Sequence, residues 1–325
     1  MAEQIYVGTE RGLFRLARES GAWALQASGL GDQEIEAVAA HPDGQHAIAG
    51  THGAGLFMTA DGGESWEPIS GWQGSPYIRS VSYHPLDPTI VRVGTEPARV
   101  WRSRDGGATW AEENGFTALP GCAEWFLPYS PRAGAVRKII MLDGADPAVW
   151  AAIEVGGLAE SRNDGETWGI SEKIGQWEYP ADGLHPDVHS IDIHPAEPDT
   201  IMAATGGGVF RSTDQGQSWR HLIDDYTRGV CIKADDPATI VVGPSRRVGR
   251  LGRMMVSNDG GDTWRDAEQN LNFPLDRMCE HIICDAQDVF AVVLDDAVYH
   301  ASFTNLAWQP VGNGLPSPTC AAIVS

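Results

Sequence analysis

The sequence predicts an all-β protein: a seven-bladed β-propeller of four-stranded antiparallel blades, closed by its C-terminal strand joining the first blade. Three observations carry this expectation. A turn sequence ending in Trp recurs five times in register. Thirty-eight glycines and twenty prolines in 325 residues divide the chain into many short strands. Finally, the chain starts partway into a repeat unit, and the missing strand stands at its other end.

The first unit, Ile5 to Leu25, supplies three strands, which by comparison with later units are B, C and D. Its turn has eroded to Glu19-Ser-Gly-Ala-Trp23. The second unit is complete. An alternating strand A runs from Ala37 into His41-Pro42, strand B ends at Gly50-Thr51, strand C carries Phe57, and the turn Thr59-Ala-Asp61-Gly-Gly63-Glu-Ser65-Trp66 leads into strand D. The third unit repeats this with Ser80 to His84-Pro85, Gly94-Thr95, Trp101 and Ser103-Arg-Asp105-Gly-Gly107-Ala-Thr109-Trp110. The next turns are Ser161-Arg-Asn163-Asp-Gly165-Glu-Thr167-Trp168, Ser212-Thr-Asp214-Gln-Gly216-Gln-Ser218-Trp219 and Ser257-Asn-Asp259-Gly-Gly261-Asp-Thr263-Trp264. The seventh unit keeps Tyr299 and Trp308. The tail from Thr319 to Val324 reads as a lone strand A, and beside the first unit it leaves no free sheet edge. No linker or shift in composition divides the chain, so one domain over residues 1–325 is expected.

The turn has a physical logic. The Asp or Asn carboxyl or amide oxygen accepts hydrogen bonds from backbone N–H groups, Gly adopts a backbone conformation that a Cβ forbids, and the Trp ring folds back, burying ~150–250 Å². These aspartates are expected to be structural. The pattern S-x-D-x-G-x-[TS]-W resembles the Asp box of the BNR repeat family, which includes sialidases, xyloglucan-active glycosidases, sortilin-type receptors and photosystem II assembly factors of the Ycf48 type. The resemblance implies the propeller fold and places the boxes on C–D turns, away from the end where propellers bind ligands. It assigns no catalytic residue. Sialidases carry an Arg-Ile-Pro segment that is absent here and usually six blades, so sialidase activity is not expected. The two-propeller xyloglucanases work in a cleft between domains, of which one propeller supplies only one wall.

Composition narrows the function. With 44 acidic against 23 basic residues the net charge is −21, which disfavours nucleic acid and anionic membrane as partners, because both bind through phosphate neutralisation. No apolar run is long enough to span a bilayer. Five cysteines without a CxxC pair point to a reducing, cytoplasmic setting. Nothing in the sequence implies a cofactor.

Candidate site residues follow from the register. Five residues back from each His-Pro histidine, or its equivalent, stand Glu36, Arg79, Glu124, His189, Arg228 and Glu280, with Cys320 or Thr319 completing the series. Three residues back stand Val38, Val81, Phe126, Ile191, Val230, Ile282 and Ala322. Apolar strands thus begin with an ionisable residue at the channel mouth, where charge must be paired or used. Loops expected at that end add His52, Glu154, Trp177, His185, Asp187, Tyr226 and the basic segment around Arg246.

The pattern suggests a pocket for a small anionic molecule or glycan. Glu154, Glu124 and Glu36 are its candidate acid–base carboxylates, and His189 or Tyr226 its proton carrier. Arg79 and Arg228 would clamp a carboxylate, and Glu280, His52, Trp177, His185, Asp187 and Arg246 would bind around them. Such a pocket would bind its ligand and hydrolyse it or drive an elimination. The alternative is a non-catalytic scaffold that holds a protein partner on the same face. The histidines lack a metal-ligand spacing, so no metal site is expected.

Overall fold

The computed structural model describes residues 2–127, 129–130, 134–143, 147–171, 183–312 and 314–324. Seven antiparallel sheets each follow the meander order, with the first strand innermost. The inner strands are Pro318–Val324, Ile35–Ala40, Ile78–Tyr83, Ala135–Leu142, Val188–Ile193, Tyr226–Lys233 and Cys279–Cys284. Each packs against the next, and the last against the first, so the strands enclose a central channel. Closure is as expected: Gln4–Thr9 pairs with Pro318–Val324, with Tyr6 opposite Ala322 and Gly8 opposite Cys320.

Between blades the second strands are wholly buried, as in Ala47–Thr51, Val91–Thr95 and Ala148–Glu154. Their mainly aliphatic side chains suit a strand covered on both faces by neighbouring sheets, with Arg92, Trp150 and Glu154 as exceptions. The recurring turns hold their strands as the sequence predicts. In one, Ser218 N donates to Asp214 Oδ1 at 2.8 Å, Gly216 N to Ser212 Oγ at 2.8 Å, and Trp219 Nε1 to the Gly216 carbonyl at 3.1 Å. The glycine has a positive φ in all five turns, between 80° and 100°, which explains why no other residue stands there.

Blade four departs from the expected register. After Glu112 the chain forms a short helix, Asn114–Thr117, and a 3-10 turn, Cys122–Glu124, which bury Phe116, Leu119 and Cys122 against the sheet. Glu124 and Cys122 therefore lie on this insertion and not on an inner strand, and Phe126 is 60% exposed. The inner strand comes later, at Ala135–Leu142. Counting back at a constant interval failed here because the insertion lengthens the D–A connection.

Candidate functional site

Each inner strand carries a register irregularity near its start. The shifts fall between Ile35 and Ala37, Ile78 and Ser80, Val136 and Lys138, Val188 and Ser190, Thr227 and Val230, and Cys279 and His281, and opposite the Gly8–Thr9 step. A β-bulge inserts a residue without a cross-strand partner and re-aims its side chain. The residues so placed are Glu36, Arg79, Arg137, His189, Arg228, Glu280 and Thr319. Arg137 takes the place expected for Glu124, and Thr319, not Cys320, completes the ring.

A cavity of about 390 Å³ opens at this ring, lined by Glu34, Glu36, Arg79, Tyr129, Arg137, His189, Arg228 and Glu280 among others. Its charges are cross-paired. Arg79 NH1 lies 3.2 Å from Glu36 Oε1, and Arg228 NH1 and Arg137 NH2 lie 2.6 and 2.9 Å from Glu280 Oε1. Glu154, from the B–C end of blade four, is buried with Oε2 3.7 Å from Arg137 and 3.8 Å from Arg79, and the Tyr129 hydroxyl donates to its Oε1. Glu96 adds a carboxylate 3.7 Å from Arg79 Nε. His52 Nδ1 stands 3.4 Å from Glu36 and its ring meets Tyr77 edge-on.

On the other side, Arg228 Nε donates to the Tyr226 oxygen at 2.8 Å, and the Tyr226 hydroxyl lies 3.2 Å from His189 Nε2. His189 Nδ1 donates to the Thr227 carbonyl at 3.0 Å, which settles the tautomer of the neutral ring, with its lone pair on Nε2. Asp187 Oδ1 is 3.2 Å from that nitrogen. His185 is buried, and its Nδ1 accepts from Asp187 N at 3.2 Å.

Burial alone would push the ring carboxyls up, but the guanidiniums outweigh it. Arg79, with the His52 hydrogen bond, holds Glu36 down to about 2. Arg137 leads the groups that hold Glu154 at about 2, and Arg228 and Arg137 lower Glu280. These carboxylates stay ionised and accept hydrogen bonds, whereas the donors beside them include hydroxyls. Burial pushes Tyr226 up to about 12 despite Arg228 and pushes Tyr129 up as well. Several buried polar atoms still have no hydrogen-bond partner: Glu154 Oε2, Glu280 Oε2, Asp187 Oδ1 and Arg79 Nε.

Three other expected residues fall outside this arrangement. Arg246 is exposed on a hairpin of blade six, where Ser245 pairs with Gly252 and Arg247 with Arg250, and it does not line the cavity. The expected concentration of positive charge is therefore not at the mouth, where Glu34, Glu36, Glu96, Glu154, Asp187 and Glu280 outnumber Arg79, Arg137 and Arg228. Trp177 lies outside the described residues, and Glu124 is exposed on the insertion. Two contributors were missed in sequence. Tyr129 sits in the insertion with no repeat equivalent. Arg137 had a signal: an aliphatic residue followed by an ionisable one, as in Ile35-Glu36, Ile78-Arg79 and Val188-His189.

No family model matches the chain. Among curated proteins it is similar to the photosystem II assembly lipoprotein Ycf48 of Synechococcus sp. (strain CC9902), 24% identical over 270 residues covering 79% of this chain and 70% of that protein. It is also similar to an oligoxyloglucan-reducing end-specific xyloglucanase of Emericella nidulans, 24% identical over 300 residues and 83% of this chain; the chain spans only 32% of that enzyme. Among solved structures, a Ycf48 bound to D1 peptide superposes with TM-score 0.61 and 16% identity, over 90% of this chain and 87% of that one. An ancestral GH74 enzyme gives 0.62 and 14%, over 89% of this chain and 38% of that one. These likenesses agree with the seven-bladed fold. Among the described residues no helix is long and apolar enough to cross a membrane.

Proposed function

We propose that the chain binds a small hydroxylated ligand, of carbohydrate or carbohydrate-acid type, in the mouth of the central channel. The observation that carries this is an open cavity lined by Arg79, Arg228 and Glu280, part of an ionic network in which Glu280 Oε2, Arg79 Nε and, behind them, Glu154 Oε2 have no hydrogen-bond partner. Leaving a buried polar atom unpaired costs ~1–3 kcal/mol. Such a cost is recovered when a ligand supplies the missing donors and acceptors. Hydroxyl groups do both, giving hydrogen bonds to the carboxylates and taking them from the guanidiniums. A simple carboxylate must instead compete with Glu280 and Glu36 for Arg228, Arg137 and Arg79. Glu154, with the Tyr129 hydroxyl on its Oε1, and Tyr226 beside His189 are the groups placed to exchange a proton with a bound substrate, whether in hydrolysis or elimination.

The test is thermal-shift screening against neutral oligosaccharides, uronates, sialic acid and small carboxylates. Stabilisation by a sugar, lost in Arg228→Ala, is expected. If no sugar or acid stabilises the protein, or the variant responds as the wild type does, the proposal fails. Product analysis of the stabilising sugar after incubation then separates a binding protein from an enzyme.

A second function, docking of a protein partner on the same face, is favoured by one observation. The blade-six hairpin presents exposed Arg246, Arg247 and Arg250, with no ion pair to any described residue, around Val248 at 65% exposure. In a protein of net charge −21 such a tip suits an acidic segment. Arg246→Glu with Arg247→Glu would abolish capture of that partner and leave the sugar response intact. The five cysteines are all free thiols, which supports a reducing compartment.

A further inference from the structure

Around His189, which lines the cavity, stands a second arrangement that hydrogen bonding only partly satisfies. Glu154, Asp187 and His189 come from the blade-four B–C end, the loop before the fifth inner strand, and that strand's bulge. One ligand-type atom of each lies within 4.8 Å of the others. His189 Nδ1 donates to the Thr227 carbonyl, which in the neutral ring leaves the lone pair on Nε2. That lone pair faces Asp187 Oδ1 at 3.2 Å and a Glu154 carboxylate oxygen, Oε1, at 3.9 Å. All three atoms are acceptors. The Tyr226 hydroxyl offers Nε2 one hydrogen bond of 3.2 Å and has no second proton for the carboxylates. Asp187 Oδ1 has no hydrogen-bond donor, and Glu154, 2% exposed, leaves Oε2 without one. Hydroxyls meet two of the three atoms, Tyr226 on Nε2 and Tyr129 on Glu154 Oε1, while Asp187 Oδ1 has no hydrogen bond; a cation here would take the place of the Tyr226 hydroxyl on Nε2 and supply the charge that Asp187 Oδ1 lacks.

We propose that Glu154, Asp187 and His189 bind a divalent transition-series cation, Mn²⁺ or Zn²⁺, at the mouth of the channel. One imidazole with two carboxylates is a donor set for such ions and less so for Ca²⁺, which takes oxygen ligands alone. Donors ~2.1 Å from an ion stand about 3.0–3.4 Å apart at adjacent positions, so the Asp187–His189 pair is already spaced for it, and Glu154, 3.9 Å from His189 Nε2, must move inward to complete the set. The Nδ1–H to carbonyl bond is the outer support that orients a metal-binding imidazole. Charge agrees, since six carboxylates at the mouth face three guanidiniums. The ion's remaining positions would face the cavity, where an acidic sugar's carboxylate could bind it. This last point rests on the proposed ligand pocket; the ion site itself does not.

A surface cluster makes a useful contrast. His41, Asp43 and His46 are also mutually close, but Asp43 Oδ1 already accepts from Gln45 N and His46 N at 2.8 and 2.9 Å, and Oδ2 lies 2.6 Å from His46 Nδ1. Its oxygens are used by the turn.

The experiment uses the whole chain, stripped with a chelator and dialysed, then titrated with Mn²⁺ alone while free Mn²⁺ is read by electron paramagnetic resonance. Zn²⁺ is followed in parallel by elemental analysis. One equivalent is expected to bind, with affinity at least tenfold weaker in Asp187→Asn and unchanged in His46→Ala. Thermal unfolding of both variants without metal shows that each folds. Binding that survives Asp187→Asn but vanishes in His46→Ala would place the ion on the surface cluster and overturn the proposal, as would failure of both ions to bind at millimolar concentration. The sugar screen is run with and without chelator. A sugar response without ion binding sinks the metal site alone, whereas ion binding without any sugar response sinks the ligand pocket alone.

Discussion

Two buried ion clusters in this protein differ in one respect that separates structure from function. At the junction of blades three and four, Arg92 is 1% exposed. Its Nε donates to Glu113 Oε1 at 2.9 Å, its NH2 to Asp164 Oδ1 at 2.6 Å, and NH1 rests on Met141 Sδ at 3.1 Å. The second oxygen of Glu113 accepts from Trp168 Nε1 at 3.0 Å. Both carboxylate oxygens of Glu113 are engaged, and only the Asp164 end of the cluster reaches solvent. The ring at the channel mouth contains the same residue types, yet it leaves oxygens of Glu154, Glu280 and Asp187 unpartnered beside a cavity. A closed network locks two sheets together, whereas an open one keeps capacity for something else.

The largest effect that would sharpen this contrast is in the closed cluster. Glu113→Ala leaves the buried Arg92 with Asp164 as its remaining carboxylate partner and is expected to cost ~3 kcal/mol in denaturant unfolding, much of it recovered by Arg92→Met with Glu113→Leu. If Glu113→Ala unfolds no more easily than wild type, the cluster is not a structural lock.

A smaller effect concerns His281, just below the ring. Burial, then Lys138 and Arg137, hold it down to about 3 even though Glu280 pulls the other way, and its Nδ1 accepts from Ala321 N at 3.3 Å. The unfolded histidine takes up its proton near pH ~6.5. The unfolded state therefore binds the proton first on acidification. This part of the stability is complete above about pH 6.5 and declines as the pH falls toward 3. Melting temperatures across that range should drop more gently in His281→Asn; equal slopes would exclude this histidine as the acid-sensitive group.

Asp214→Ala removes the acceptor of three solvent-facing hydrogen bonds in one repeated turn and is expected to cost ~1–2 kcal/mol in all. The open ring should lose less than the closed cluster. Glu154→Gln keeps the volume but removes a buried charge beside Arg137 and Arg79, so it is expected to cost ~1–2 kcal/mol, below the cost of Glu113→Ala, while the response to sugar and metal is lost. A loss as large as that of Glu113→Ala would make the two clusters equivalent and end the distinction.

The strand meander and its turns were legible in sequence because they are made locally. Asp214 reaches a backbone N–H only four residues away, and the glycine before each Trp answers to its own φ. Ring closure was legible too, since a chain with an orphan strand at one end and a three-strand unit at the other has one economical pairing. The ring itself was readable only where the spacing between units held. It gave Glu36, Arg79, His189, Arg228 and Glu280, but the insertion carrying Phe116 and Leu119 displaced the fourth inner strand and hid Arg137 behind Glu124.

Sequence by itself thus determined the fold, its closure and most of the side chains that meet at the channel. Tertiary structure alone decided which of their atoms found partners. That both oxygens of Glu113 are hydrogen-bonded while Glu154 Oε2 is not, and that Arg246 does not line the cavity, depends on distances between blades far apart in the chain. Local propensity and spacing carry no record of such distances, because hydrogen-bond satisfaction belongs to the assembled ring and not to any one repeat.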